Sequence, residues 1–101
     1  MRALLEIELD TQTANKAIVD GAVVARFNEI MADLRPEAVY AFPRHGRRCQ
    51  IVVVDVADEA AVVKICEPFW LEFNAHIDMH ICMTPADLQE GLSRLNGPER
   101  S

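Results

Sequence analysis

The sequence has few cysteines and lacks the paired cysteines that bind metals. Cys49, Cys66 and Cys82 are widely spaced, with neither a CxxC pair nor a Cys/His quartet at zinc-finger spacing. Three isolated cysteines do not form a disulfide framework and are typical of reduced intracellular thiols. Arg48 adjoins Cys49, but no cysteine has a set of basic neighbours that would activate it. We therefore expect all three to be small core residues.

The chain also lacks a long hydrophobic run and an excess of positive charge. No segment approaches the roughly 18 apolar residues of a membrane-spanning helix, and no apolar signal sequence follows Met1 and Arg2. Ten Lys and Arg against 16 Asp and Glu give a net charge of -6, which opposes the attraction that drives most nucleic-acid binding. The 101 residues predict one soluble, cytoplasmic domain, residues 1–101, that binds neither nucleic acid nor membranes.

Side-chain periodicity predicts the order β-α-β-β-α-β, followed by a short helix that ends at Asn96-Gly97-Pro98. Asp20-Gly21 can interrupt the first helix, and Pro68 is expected to kink or break the second one near Glu67. Strands are predicted over residues 2–9, 38–42, 48–56 and 75–83, and helices over residues 14–34, after an N-cap at Asp58, and after an N-cap at Thr84.

This order predicts an α+β, ferredoxin-like fold, in which one antiparallel sheet carries both main helices on one face. In that topology the first strand lies between the third and the fourth. Residues 38–42 and 51–54 are apolar at both odd and even positions, so both faces of these predicted strands are apolar. A sheet face that is open to water should instead be polar. A second copy of the sheet is the expected cover, which predicts a homodimer with two sheets packed face to face, a dimeric α/β-barrel assembly.

Residues 75–83 contain the strongest candidate site, because polar and apolar residues alternate strictly along this predicted strand. His76, Asp78, His80 and Cys82 share one face, and the neighbouring first strand adds Glu6 and Glu8 to it. Two histidines four residues apart lie about 13 Å apart along a strand, too far to share one metal ion readily. Proton transfer and mutual His-carboxylate pairing at a dimer interface remain open. The expected catalytic residues, if the protein is an enzyme, are His80, His76, Asp78 and Glu6.

A second candidate site combines a basic loop with aromatic residues. Residues 44–48 concentrate positive charge, and paired arginines can hold a carboxylate or phosphate. Phe69, Trp70 and Phe73 could line a pocket for a flat ligand, although aromatics at helical spacing belong more often to the core. The expected ligand-binding residues are Tyr40, Arg47, Arg48 and Trp70.

The chain resembles a group of bacterial proteins of about a hundred residues with ferredoxin-like or dimeric α/β-barrel character and no assigned activity. The motifs that carry the resemblance are LRPEAVY at 34–40, GRR at 46–48, VVDV at 53–56, EPF at 67–69, NA at 74–75 and MTPADL at 83–88. A more distant similarity to muconolactone isomerase rests on a glycine turn, an apolar strand ending in Asp55-Val56, and a proline near the end of the second helix. That resemblance implies a small ferredoxin-like enzyme with sites between subunits, but it places no catalytic residue on this chain.

These observations predict a homodimer that binds a small organic molecule, with an anion among the candidates, in a polar cavity between its sheets, without a metal or other cofactor. An isomerase that uses His/carboxylate acid-base chemistry is the first alternative. A structural or protein-interaction dimer without a ligand is the second.

Overall fold

Strands and helices alternate in the computed structural model, which describes residues 1–96 of the chain. The predicted helix end at Gly97-Pro98 lies outside these residues. The structure is α+β with one four-stranded antiparallel sheet, as the periodicity predicts, and it has four α-helices within residues 1–96 where the periodicity predicts three. The elements are β1 (Arg2–Glu8), α1 (Thr11–Asp20), α2 (Ala22–Leu34), β2 (Ala38–Arg44), β3 (Arg47–Asp55), α3 (Glu59–Phe73), β4 (His76–Ile81), α4 (Pro85–Ser93) and a 3-10 turn (Arg94–Asn96).

The strands lie in the order β2-β3-β1-β4, so that β1 is a central strand between β3 and β4. A two-residue turn, His45-Gly46, joins β2 to β3, and its φ angles of 53° and 76° are those of the type I′ turn that suits a twisted hairpin. Because the turn is this short, the hairpin extends to Arg44 and Arg47, beyond the predicted strand ends at residues 42 and 48.

The long helix predicted for residues 14–34 is divided into α1 and α2. Gly21 ends α1 with a left-handed φ of 75°, which glycine adopts without steric cost. The Asp10 carboxylate accepts a hydrogen bond from the Thr13 amide at 3.0 Å, so α1 begins at Thr11 rather than at Ala14. The interruption predicted at Asp20-Gly21 is thus a complete helix boundary.

The helix α3 begins at the predicted Asp58 N-cap, where the Asp58 carboxylate accepts from the Ala61 amide at 2.9 Å. It continues through Pro68 to Phe73 without interruption, so of the kink or break predicted near Glu67 the break is wrong. Proline removes one helical hydrogen bond. Burial of Cys66 before the proline and of Phe69 after it stabilises the helix more than that bond would, since tertiary packing dominates helix stability.

The hydrophobic core lies between one face of the sheet and the helices α1, α2 and α3. Every second residue of β1 contributes to it, and Phe27, Phe69 and Phe73 form an aromatic cluster with ring centroids 5.9 to 6.4 Å apart. The core residues of the sheet are Ala3, Leu5, Ile7, Leu9, Val52, Val54 and Val56. The side chains of the other parity lie on the opposite face, here called the open face, which no described helix covers.

The helix α4 extends away from this core. Thr84 and Asp87 form the predicted capping box at its start, with hydrogen bonds of 3.1 and 2.9 Å. Every residue from Pro85 to Leu95 is nevertheless exposed. The chain is 59 Å long with a radius of gyration of 16.8 Å, whereas a compact domain of this length has about 13 Å. Within residues 1–96, no helix is both long and apolar enough to cross a membrane.

Candidate functional site

The open face brings together the polar residues of β1 and β4. Glu6 lies directly opposite Asp78, and Glu8 directly opposite His76. His80 is opposite Leu4 at the next position of the same parity. The antiparallel register therefore places the predicted catalytic residues on one surface, as their alternation predicts.

Five ionisable side chains form what we call the open-face cluster. The Arg44 Nη1 donates to the Glu6 Oε2 at 3.1 Å and to the Asp78 Oδ2 at 3.3 Å. The His80 Nε2 lies 3.3 Å from the same Glu6 oxygen, and the His76 Nε2 lies 3.6 Å from the Asp78 Oδ1. Arg44 thus occupies the centre of the cluster, with one carboxylate on each of two neighbouring strands.

The charges of the cluster are paired, but its side chains remain accessible to solvent. The side chains of Arg44, Glu6 and Asp78 are 31%, 25% and 40% exposed. Attraction to the Glu6 carboxylate raises the pKa of Arg44, and the Asp78 carboxylate adds to the effect. A guanidinium held by two carboxylates is a fixed cation that positions both of them. The cluster can therefore present two oriented carboxylates and two imidazoles to a molecule lying on the sheet.

Arg44 was not among the residues predicted for the site, although it belongs to the basic loop noted in the sequence. The prediction ended β2 at residue 42 and so left Arg44 in a loop. With the two-residue turn, Arg44 has the same parity as Tyr40 and Phe42 and lies on the open face. The glycine at position 46, between two strand-like segments, was the sequence signal for such a tight hairpin.

Arg47 and Arg48 do not form the predicted arginine pair. As consecutive strand residues they lie on opposite faces of the sheet. The Arg47 Nη1 lies 3.5 Å from the Glu8 Oε2 on the open face, whereas the Arg48 Nη1 donates to the Asn15 Oδ1 at 2.8 Å on the helix side. The two guanidinium groups cannot hold one carboxylate between them in this arrangement.

The two aromatic residues that were predicted to bind a ligand also lie on opposite faces of the sheet. Tyr40 lies on the open face opposite Ile51 and is 70% exposed. Trp70 lies on α3, which packs on the other face, and is 42% exposed. Its neighbours Phe69 and Phe73 are core residues, as the general burial tendency of aromatics predicts.

Cys66 belongs to the hydrophobic core, Cys49 lies at an open-face position of β3 opposite Glu8, and Cys82 follows β4. Cys49 and Cys66 are buried and Cys82 is partly buried, and each of the three thiols is free. Burial raises the pKa of the Cys49 and Cys66 thiols, which disfavours the reactive thiolate. Within residues 1–96, no group of three or more His, Cys, Asp or Glu side chains has an arrangement that could hold a metal ion.

A second feature, the helix-side cavity, lies between α1, α2 and the β2–β3 hairpin. Its volume is about 810 Å³. Gln50 lines it, and the Gln50 Oε1 is buried without a hydrogen-bond partner among the described residues. Sequence reasoning missed this cavity, because it depends on how the divided helix packs over the hairpin. Other residues that line it include Leu9, Thr11, Asn15, Ile18, Val24, Phe27, Ala41 and Arg48.

Comparison with known proteins does not extend these assignments. The sequence matches no protein-family model, and no curated protein is significantly similar to it.

Proposed function

We propose that this protein is a homodimer of ferredoxin-like subunits that binds a small organic molecule between its two sheets, at the open-face cluster. The observation that carries the proposal is an accessible group of five ionisable side chains within an uncovered and otherwise largely apolar sheet face. The strand order β2-β3-β1-β4, with α1–α3 on one face, supports the ferredoxin-like assignment.

The uncovered apolar surface supports a second copy of the chain as the partner. Tyr40, Ile51 and Val53 lie on the open face without a described element over them, although such a surface favours burial. The ion pairs of Arg44 and Arg47 with carboxylates of the same face offset part of its negative charge. A two-fold axis would bury both open faces at once, since an isologous interface uses the same surface on each subunit.

The helix α4 supplies an additional surface for the same partner. Its Leu88 and Leu92, together with Leu95 of the following 3-10 turn, are 50%, 51% and 57% exposed and form an apolar stripe. The helix begins shortly after the edge strand β4, and its Asp87 Oδ2 lies 3.6 Å from the Nη1 of Arg2, a residue of open-face parity on β1. We propose that α4 packs against the second subunit, which would account for the extended shape of the single chain.

The charge balance of the cluster indicates the class of ligand. Arg44 faces two carboxylates, and Arg47 faces the third, Glu8, so acidic groups outnumber basic ones when the histidines are neutral. A neutral or cationic molecule with hydrogen-bond donors fits this surface better than the anionic ligand expected from the basic loop. His76 and His80 can donate or accept, and so suit a polar ligand of either kind.

An isomerase is a second candidate, favoured by one contact. His80 Nε2 lies 3.3 Å from Glu6 Oε2, which is close to the distance at which a carboxylate orients an imidazole for proton transfer. The distant resemblance to muconolactone isomerase is compatible with this chemistry but assigns no residue to it. A dimer without a ligand is the third candidate, since the cluster's own ion pairs satisfy much of its hydrogen-bonding capacity.

Native mass spectrometry of the freshly purified full chain tests the proposal. We expect a dimer that carries additional small-molecule mass, and we expect His80→Asn to lose this mass while remaining a dimer. His45→Asn is the matched control, because His45 lies in the hairpin turn outside the cluster.

Two other outcomes would count against the proposal. A dimer of bare polypeptide mass, whose cluster amides and imidazoles also fail to respond to a library of small polar molecules by NMR, would favour the dimer without a ligand. A monomer at micromolar concentration would contradict the proposed assembly.

A further inference from the structure

The helix-side cavity lies on the opposite side of the sheet from the open-face cluster and is lined by elements of a single chain. Asn15 and Val24, on α1 and α2, face residues of the β2–β3 hairpin across it. A site here needs no second subunit, so an inference about it rests neither on the proposed dimer nor on the ligand of the open-face cluster.

The walls of this cavity are mainly apolar and reach solvent. Ile18 and Val24 line its helix side and are 45% and 57% exposed, and the partly buried Phe27 also lines it. Ala41 and Pro43 line the hairpin side. Exposed apolar side chains around a concave surface favour burial against the apolar part of a ligand, and a volume of about 810 Å³ suits an organic molecule rather than a single water.

Arg48, at the hairpin end of the cavity, carries a charge that no carboxylate of residues 1–96 pairs with. Its Nη1 donates to the Asn15 Oδ1 at 2.8 Å, and this amide oxygen is a neutral acceptor. A guanidinium has several N–H donors in a planar fork, so others remain for a second acceptor. The contact with Asn15 thus holds the cation beside α1 without neutralising it.

The charged groups next to Arg48 are engaged with other partners. Arg47 also lines the cavity, but its Nη1 lies 3.5 Å from the Glu8 Oε2 on the open face. The Asp10 Oδ2 accepts hydrogen bonds from the Thr13 amide and hydroxyl at 3.0 and 2.8 Å. The start of α1 therefore offsets the charge of Asp10, and Arg48 is the cation that a ligand in the cavity would meet.

An apolar wall beside a positioned cation fits an amphipathic anion. We propose that the helix-side cavity binds a carboxylate with an apolar tail. The carboxylate accepts hydrogen bonds from the Arg48 guanidinium, and the tail lies against Ile18, Val24 and Phe27. The anion expected from the basic loop of the sequence would then bind on the helix side of the sheet, through one arginine rather than a pair.

Two probes of the same shape test the inference on the unchanged protein. n-Octanoate is anionic at about pH 7.5, whereas n-octanamide has the same chain length and a neutral head. In NMR titrations of the full chain, we expect saturable amide shifts at Val24, Ala41 and Cys49 with both probes. We expect octanoate to bind about five- to tenfold more tightly at low salt, the size of a charged hydrogen bond at an exposed arginine. Added salt should reduce this ratio, because it screens the attraction.

A variant without the guanidinium tests the role of Arg48. Arg48→Met keeps an unbranched apolar side chain, so it should remove the preference for octanoate and leave the affinity for octanamide unchanged. Lys16→Met is the matched control. It removes the same charge from an exposed position of α1 that does not line the cavity, so the preference should persist.

Three results would overturn the inference. If neither probe causes saturable shifts around the cavity, the space holds only solvent. Equal affinities for the two probes on the unchanged protein would show that Arg48 does not bind the carboxylate. A preference for octanoate that persists in Arg48→Met would place the anion on another group. None of these results bears on the open-face cluster, whose ligand is tested by the His80→Asn variant.

Discussion

Arg44 Nη1 lies 3.1 Å from the Glu6 Oε2, an ion pair that links the outer strand β2 to the central strand β1 across β3. The arginine also reaches Asp78 on β4 at 3.3 Å, so one side chain joins positions on three strands. Because these side chains are only partly exposed, their pairing is less screened than that of a surface salt bridge.

Arg44→Met should therefore lower the free energy of unfolding, since it leaves two carboxylates without their cation. Combined with Glu6→Gln it should cost less than the sum of the single changes. Urea denaturation of the four proteins measures this cycle. Arg94→Met removes an exposed pair with Glu90 and should cost less than about 0.5 kcal/mol. Strictly additive effects of Arg44→Met and Glu6→Gln would show that the ion pair contributes nothing.

Replacement of Leu88 and Leu92 by Ser tests the proposed role of α4. If both side chains are buried against a second subunit, the double variant should raise the dimer dissociation constant at least about 100-fold, because each buried leucine contributes about 1.5 to 3 kcal/mol. Analytical ultracentrifugation over a range of concentrations measures the change. Leu71→Ser is the control, because Leu71 is 77% exposed on α3. An unchanged dissociation constant in the double variant would exclude α4 from the interface.

The adjacent aromatics Phe69 and Trp70 should respond very differently to truncation. Phe69 is fully buried in the aromatic cluster, so Phe69→Ala should cost about 3 to 5 kcal/mol of unfolding free energy. Trp70 is 42% exposed, so Trp70→Ala should cost clearly less than Phe69→Ala. Chemical denaturation followed by circular dichroism checks both, since the signal does not depend on the tryptophan. Equal costs would mean that Trp70 packs in an interface not formed by the single chain.

The protein should lose stability in acid through its paired carboxylates. The two hydrogen bonds from Arg26 to Glu72, at 2.6 and 2.7 Å, lower the pKa of Glu72 below its ordinary value of 4.5. A lowered folded-state pKa stabilises the protein above the unfolded value, and this contribution is lost as the pH falls through the folded value. Hydrogen bonds donated by Thr13 and Thr84 likewise lower the pKa of Asp10 and Asp87.

Urea midpoints measured between about pH 6 and pH 3 should therefore fall for the unchanged protein. Glu72→Gln should be less stable at the upper end of this range and should lose less stability at the lower end. Glu59→Gln removes a charge from the same helix and serves as the control. If both variants lose stability in parallel with the unchanged protein, the Arg26–Glu72 pair does not contribute to the acid response.

Much of the fold could be predicted because its signals are local. Alternation along residues 2–8 and 76–81 identified two strands, and the caps at Asp58 and Thr84 located the starts of two helices. The errors occurred where tertiary packing or turn geometry overrode a local preference. Pro68 does not interrupt α3, because the helix is buried against the sheet on both sides of the proline, and the hairpin is longer because His45 adopts a positive φ.

The candidate site was predictable only in part for the same reason. Strand parity alone places Asp78 and His80 on one face, and the β1–β4 pairing adds Glu6 to them. Arg44 was not predicted, because the sheet face on which it lies depends on the number of residues in the turn. Nothing in the sequence singled out Gln50, because the burial and pairing of its amide oxygen depend on residues that are distant in the chain.

The sequence by itself determined the local structure of this protein: which segments are strands or helices, where helices begin, and which strand residues share a face. These properties depend on side-chain period and on hydrogen bonds between residues three or four apart, so they can be recognised without the fold. The tertiary structure alone decided that Arg44 meets Glu6 and Asp78, that Arg47 and Arg48 are separated, and that a cavity forms beside Gln50. Such contacts join residues distant in the chain, and they depend on strand register, turn length and helix packing together.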